Sequence, residues 1–429
     1  MHYSSLKIFL LLFLGIFFYN KTIAQDYLYA PYTTAASRAK LYRNLIEFSI
    51  NKNLSRPLND STEQNWEEAF DALELLLHKN DWVDSRINYA VNSIQLRTVQ
   101  FQRALLELIY TNYPGNYIIQ ISALLQHTVN TKIFAMCAEY ILWQKNDSAT
   151  LDSLDETIIK KFAFTPDDPI IAMLNDHILS IKFSSAPLIT HKSFINLLDR
   201  NFLPGQIVMY SFQRKNRDYP GLVIVRNKEG KFIRDSANNI FNVPQLARSI
   251  ANLPGYLTNG NTPEGIFKMH GFSVSKSNFI GPSPNIQLSL PVEMSPRQFI
   301  DSTIQDSIWS IELYAGLIPQ HLRQYSPLYN SFYAGLAGRT EIIAHGTTID
   351  AEYYKSQIYY PHTPSQGCLS TKEIWNGKRI ESNQKKLVNA LLQAGGADGY
   401  CVVLELNDKQ QPVMIEEILP FLSKAESVK

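Results

Sequence analysis

Ile342-Ile343-Ala344-His345-Gly346-Thr347, followed after a tyrosine-rich insert by Ser365-Gln366-Gly367-Cys368-Leu369-Ser370-Thr371, is the stretch that decides how the second half of this chain reads. Ile342, Ile343 and Ala344 spell a short buried strand that delivers His345 to its end, and Ser365-Gln366-Gly367 is turn chemistry that presents Cys368. Strand ends and turns are where functional side chains sit on a rigid scaffold. A thiol needs a base or a positive field to ionise near neutral pH, and an imidazole within hydrogen-bond reach supplies both. His345 is therefore the candidate base and Cys368 the candidate nucleophile. Backbone N–H groups around Gly367 and Cys368 are expected to converge on the oxyanion of a tetrahedral intermediate, which the missing glycine side chain eases. Together these parts describe acyl transfer.

His345-Gly346-Thr347 followed by Ser365-Gln366-Gly367-Cys368 resembles the L,D-transpeptidase (YkuD-type) signature, His-Gly and then Ser/Thr-His-Gly-Cys. Thr262-Pro263-Glu264-Gly265-Ile266-Phe267 resembles the Thr-Pro-x-Gly-x-Phe segment upstream of the cysteine in that family. The likeness covers about Gln206 to Leu406. The chain carries Gln366 where the family has His, Leu369, Ser370 and Thr371 where it has Asn or Arg, and a longer step of 23 residues from His345 to Cys368. The resemblance implies a β-sandwich with a cleft at the Cys turn, a peptidoglycan stem peptide as donor, and a thioester on Cys368 resolved by an amine or by water, hence transpeptidase or carboxypeptidase. It places Ser365, Gln366, Gly346, Thr347 and Tyr333 among the substrate-contacting positions and implies no cofactor. The alternative is a non-catalytic peptidoglycan-binding module with a degenerate transpeptidase-like domain. A cysteine endopeptidase would use the same pair but has no need of the Thr-Pro-x-Gly segment.

Upstream, residues 37–182 show helical periodicity with little glycine. Ser61-Thr62-Glu63-Gln64 reads as a capping box opening a helix with core face Trp66, Ala69, Phe70, Leu73 and Leu77. A second helix carries Phe101, Leu105, Leu108 and Ile109 and stops at Tyr113-Pro114-Gly115, and others follow near 118–125 and 131–143. Helical hairpins stacked as a solenoid are expected, with a surface for a protein partner. Near 184–187 the pattern changes. Strands are expected at 206–212, 221–225, 286–290, 342–344 and 400–406, with helices near 244–251, 296–310 and 383–392, the last closed by Gly395-Gly396.

The fold class is thus α+β: a signal peptide over 1–24, a helical domain over 25–190, a mostly β domain over 200–410 and a tail over 411–429. Residues 1–24, with Lys7, an apolar run from Ile8 to Phe18 and Thr22-Ile23-Ala24, predict a secretory signal cleaved after Ala24, so a periplasmic product without a membrane span. Lys and Arg total 40 against 39 Asp and Glu, which supplies no global field for nucleic acid. Export makes the three cysteines informative: an odd number leaves one free, and Cys137 and Cys401 sit in helical and strand patterns as buried apolar residues. No Walker loop, dinucleotide fingerprint or paired metal-ligand spacing occurs, so no metal is expected. Tyr353, Tyr354, Tyr359 and Tyr360 in the insert read either as a lid that stacks on substrate or as the packed body of a long loop. His362 is expected to face solvent.

Overall fold

The computed structural model describes residues 28–164, 167–183, 191–305 and 307–427. The expected signal segment, and the pattern change at 184–187, lie outside the described residues. The helical half runs α1 (Ala35–Asn44), continued by a π-helical stretch Leu45–Lys52, then α2 (Glu63–Leu76), α3 (Asp81–Asn92), α4 (Val99–Asn112), α5 (Ile118–His127), α6 (Thr131–Gln144), α7 (Ser148–Phe162), α8 (Pro169–Lys182) and α9 (His191–Leu198). Local sequence explains most of the starts. Asn80, Thr98, Asn130, Asp147 and Asp168 each accept a first-turn N–H with their side chains, a cap worth about 1 kcal/mol. The capping box expected at 61–64 does not form: the Ser61 hydroxyl donates to Asn59 Oδ1 at 2.7 Å and the Thr62 hydroxyl to Pro57 O at 2.6 Å, so both caps are turned back onto the preceding loop. Helices α2, α4, α6 and α8 stack in a row, each against the next, over a core of Trp66, Phe70, Leu73, Phe101, Leu105, Phe134 and Cys137.

The second half holds strands β1 (Ile207–Arg214), β2 (Gly221–Arg226), β3 (Val243–Gln245), β4 (Gly265–Ser273), β5 (Asn285–Ser289), β6 (Ile343–His345), β7 (Leu369–Ser370), β8 (Glu373–Asn376), β9 (Lys378–Ser382) and β10 (Asp398–Asn407). Among them lie helices α10 (Pro296–Phe299), α11 (Ile311–Ala315), α12 (Asn330–Leu336), α13 (Asn383–Ala394) and α14 (Leu419–Ser427). The α+β class stands, but the β half is a single eight-stranded sheet, β3-β2-β1-β10-β4-β5-β6-β7, with β8 and β9 as a separate hairpin. A two-sheet sandwich was the expectation. The sheet curls until its two edges meet, where Leu246 just beyond β3 pairs with Ser370 of β7 through two 2.8 Å bonds. Closure of this kind removes the free edges that would template aggregation.

Alternate strand residues feed two cores. Met209, Val223, Phe267, Leu288, Ala344, Leu369 and Cys401 join Leu387 and Leu391 of α13. Tyr210, Phe212, Ile224, Ile266, Val402 and Leu404 join Phe194, Phe332 and Leu422 on the opposite face. With both faces covered, β1 and β2 are buried at every position, which is why they read as unbroken apolar runs. Two expectations change here. Residues 244–251 are strand and loop, because Leu246, Ala247 and Ala251 are drawn into three different cores. Within the expected tail, residues 411–427 pack on the sheet domain: α14 lies on α9, with the Phe194 and Phe421 rings 4.9 Å apart, and the fully buried Arg214 donates to Gln411 O at 2.8 Å, to Pro412 O at 3.0 Å and to Glu417.

The halves are joined by side chains from 251–259. Ala251, Leu253, Tyr256 and Leu257 belong to the core of the helical half. The Tyr256 hydroxyl donates to Glu139 at 2.6 Å, Asn259 to Glu107 at 3.0 Å, and Lys132 to the Thr258 hydroxyl at 2.8 Å.

Candidate active site

His345 ends β6, and Cys368 lies in the turn that leads directly into β7. β6 and β7 pair in parallel, with Ala344 opposite Leu369 and His345 opposite Ser370. Ala344 and Leu369 point into the core. Because successive side chains alternate between faces, His345 shares the other face with Ile343, and the same register leads Cys368 to Ile343, one rung before His345. The sulfur confirms that placement: it donates to Glu341 O at 3.7 Å and meets the Ile343 N–H. Glu341 holds a left-handed φ of 62°, a conformation costing a side-chain-bearing residue about 1–2 kcal/mol, and so turns its carbonyl onto the thiol.

His345 is 5% exposed, and its Nδ1 lies 2.5 Å from Gly346 O. A carbonyl accepts only from N–H, so Nδ1 carries the proton and Nε2 keeps the lone pair that a base requires. Burial lowers the imidazole's pKa from its ordinary 6.5 while the Gly346 carbonyl raises it, the first effect being larger. Burial also pushes the Cys368 thiol above its ordinary 9.0; the Ile343 N–H and the Arg339 charge pull it down, and Glu341 pushes it up. Burial thus opposes the charged form of both groups, imidazolium and thiolate. Among the described residues no hydrogen bond joins them.

The Ser365–Cys368 turn is tied internally. The Ser365 hydroxyl accepts from Gly367 N at 3.1 Å and donates to Cys368 O at 2.9 Å. The Gly367 N–H, expected at the oxyanion, is therefore already used, whereas no hydrogen bond among the described residues engages the Cys368 N–H. Gly367 has φ 106°, and a Cβ there would lie 2.1 Å from Arg339 Nη2 and 2.3 Å from Gly260 O. Its carbonyl accepts from the buried Thr262 hydroxyl at 2.9 Å and from Arg339 Nη2 at 3.3 Å. Thr262, in the Thr-Pro-x-Gly-x-Phe segment, thus holds the turn.

The other expected residues disperse. Gln366 is exposed at the turn's tip. Gly346 lies against Glu373, where a Cβ would fall 2.2 Å from the carboxylate. Thr347 is buried, accepting from Ile349 N at 3.2 Å and from the Thr363 hydroxyl at 3.0 Å, so it supports the insert. Tyr333 is not at the thiol: it sits on α12 against Phe332 and lines a separate cavity with Asp176 of α8. In the insert Tyr354 and Tyr359 are buried with Leu246 and Tyr353 packs beside Tyr42, which is the packed-loop arrangement. His362 is 8% exposed rather than solvent-facing, neither ring nitrogen has a hydrogen bond, and burial lowers its pKa to about 4.

Sequence reasoning passed over Arg339, which sits beside the thiol. The signal was present as a charge four residues ahead of an apolar strand, in Gly338-Arg339-Thr340-Glu341. Among the described residues no group of three or more His, Cys, Asp and Glu is arranged to hold a metal, and no helix is long and apolar enough to cross a membrane. In comparisons with family models, curated proteins and solved structures, nothing matches this chain.

Proposed function

We propose that this chain is an exported peptidoglycan-modifying cysteine acyltransferase of the L,D-transpeptidase type, acting on stem peptides in the periplasm. The observation that supports the reading is that His345 ends β6 while Cys368 immediately precedes β7, the strand paired with it, with Nδ1 of His345 occupied by a carbonyl and no hydrogen bond to Nε2 among the described residues. In the proposed cycle Nε2 takes the proton from Sγ as the sulfur attacks the carbonyl carbon of the scissile peptide bond. The oxyanion then faces the Cys368 N–H. Collapse breaks the C–N bond, the imidazolium gives its proton to the leaving amine, and a thioester remains. An acceptor amine, or water, then loses its proton to Nε2 while attacking the thioester, and the departing thiolate recovers that proton.

The second reading, a peptidoglycan-binding module without catalysis, is favoured by one observation: no hydrogen bond links thiol and imidazole, and burial holds the thiol protonated. One experiment separates the two. The folded protein is incubated with muropeptides or a carbapenem and examined by intact mass and peptide mapping. An acyl adduct on Cys368, and none on the buried Cys137 or Cys401, is the expected result. Binding without any adduct establishes the module instead.

A further inference from the structure

Arg339 is 4% exposed, and a guanidinium taken that far from water is costly unless its charge meets an anion. Its four hydrogen bonds all go to neutral carbonyls: Nη1 to Asn261 O at 2.5 Å and to Gly255 O, and Nη2 to Gly260 O at 2.5 Å and Gly367 O at 3.3 Å. No carboxylate among the described residues forms an ion pair with it. Burial lowers its pKa to about 10, and the opposing influence is Cys368, which in turn is eased toward ionisation by Arg339. The anion that faces this cation is the sulfur itself once deprotonated. The other groups at the sulfur are fixed as well: the Ile343 N–H favours the thiolate, while the Glu341 carboxylate and its carbonyl favour the thiol.

We infer that Arg339 is the positioning residue and counter-ion of Cys368: its fork clamps Gly367 to the 255–261 loop and so fixes a positive charge one residue from the sulfur's own. The inference rests on Cys368 being the nucleophile proposed above, but its chemistry is readable without any peptidoglycan substrate. When His345 withdraws the proton, the buried cation gains the partner it lacks in the resting state as the nucleophile forms.

The test is the pH profile of Cys368 alkylation by iodoacetamide in the full-length folded protein, followed by peptide mass mapping. Arg339→Met should move the profile upward by about one pH unit or more, the effect of removing a close opposite charge, and slow alkylation at pH 8 roughly tenfold because the thiolate alone reacts. An unmoved profile in folded Arg339→Met overturns the inference. Should that variant not fold, Arg339→Lys decides, since it keeps the charge and loses the fork: a profile close to wild type is expected, and an upward shift of the Met type overturns the counter-ion role. Thr262→Val removes the other donor to Gly367 O without removing charge, and it should leave the profile in place. If Thr262→Val shifts the profile as far as Arg339→Met, turn position rather than charge is being read, and the counter-ion role falls. Alkylation that responds as expected in a protein that forms no acyl adduct would keep this inference and remove the transpeptidase reading.

Discussion

At the scale of single residues, the proposed chemistry turns on which group takes the sulfur's proton. His345 is held in one tautomer by Gly346 O, whereas His362 is buried with no partner and has a pKa lowered to about 4. His345→Ala should slow acylation of Cys368 by about two to four orders of magnitude, the range for a lost general base, while His362→Ala should cost far less in rate and more in stability. The pH dependence gives the sign. The imidazole's pKa is lowered and the thiol's is raised, so wild-type acylation should be level between those limits and fall on acidification only below the ordinary histidine range. In His345→Ala the rate should instead climb about tenfold per pH unit from 6 to 9, following the thiolate fraction. A level profile in that variant would move the base elsewhere. The fall should be measured with a carbapenem whose own reactivity is constant over this range.

At the scale of elements, the Cys turn and the insert are built to stay where they are. Gly367 adopts a φ of 106° with Arg339 and Gly260 pressed against its missing Cβ. Gly367→Ala should cost about 2 kcal/mol or more in urea unfolding, because strain and overpacking act together, and acylation should fall with it. An Ala variant as stable as wild type would mean the turn can relax. Tyr354 makes the opposite case. It is fully buried and its hydroxyl has no partner, so Tyr354→Phe removes an unsatisfied polar group and should leave stability unchanged or raise it by up to about 1 kcal/mol. Acylation should be unaffected, since the ring packs with Tyr359 and Leu246. A large loss of acylation would revive the lid.

For the whole molecule, the helical half and the sheet share the 251–259 connector, and that same stretch runs into the Gly260 and Asn261 carbonyls clamped by Arg339. Tyr256→Ala empties a buried aromatic site and leaves Glu139 without its hydroxyl donor. It should lower stability by about 3–5 kcal/mol and weaken both halves together in one transition, rather than release a helical domain that folds alone. Unfolding followed by tryptophan fluorescence and by Cys401 exposure should coincide. Glu107 adds a pH signature. Burial, opposed by Asn259, Arg103 and Lys132, raises its pKa from 4.5 to about 7. The folded state therefore holds a proton that the unfolded state has lost, so this contribution is intact below about 4.5 and disappears as pH rises through about 7. Glu107→Gln should flatten the decline in thermal midpoint over that window.

How far these features could be read in advance depends on how local their causes are. The helices at 63–76, 99–112, 118–127, 131–144 and 383–394 were legible because periodic apolar positions act within a few turns, whereas 296–310 was read as one helix and is helical only over Pro296–Phe299. Strands β1 and β10 were legible because apolar runs buried on both faces leave no alternative period. Cys368 and His345 were legible as a pair because turn residues and a strand end announce them. The rest was settled by residues distant in sequence. Leu246 meeting Ser370 closes the sheet, and α9 packs against α14 within residues 411–427. Arg339 and Glu341 from one stretch and Thr262 from another converge on the Gly367–Cys368 turn. A sequence specifies locally what a residue can do; burial and long-range hydrogen bonds decide which protonation state it holds, and those energies exist only once the chain has closed around the site.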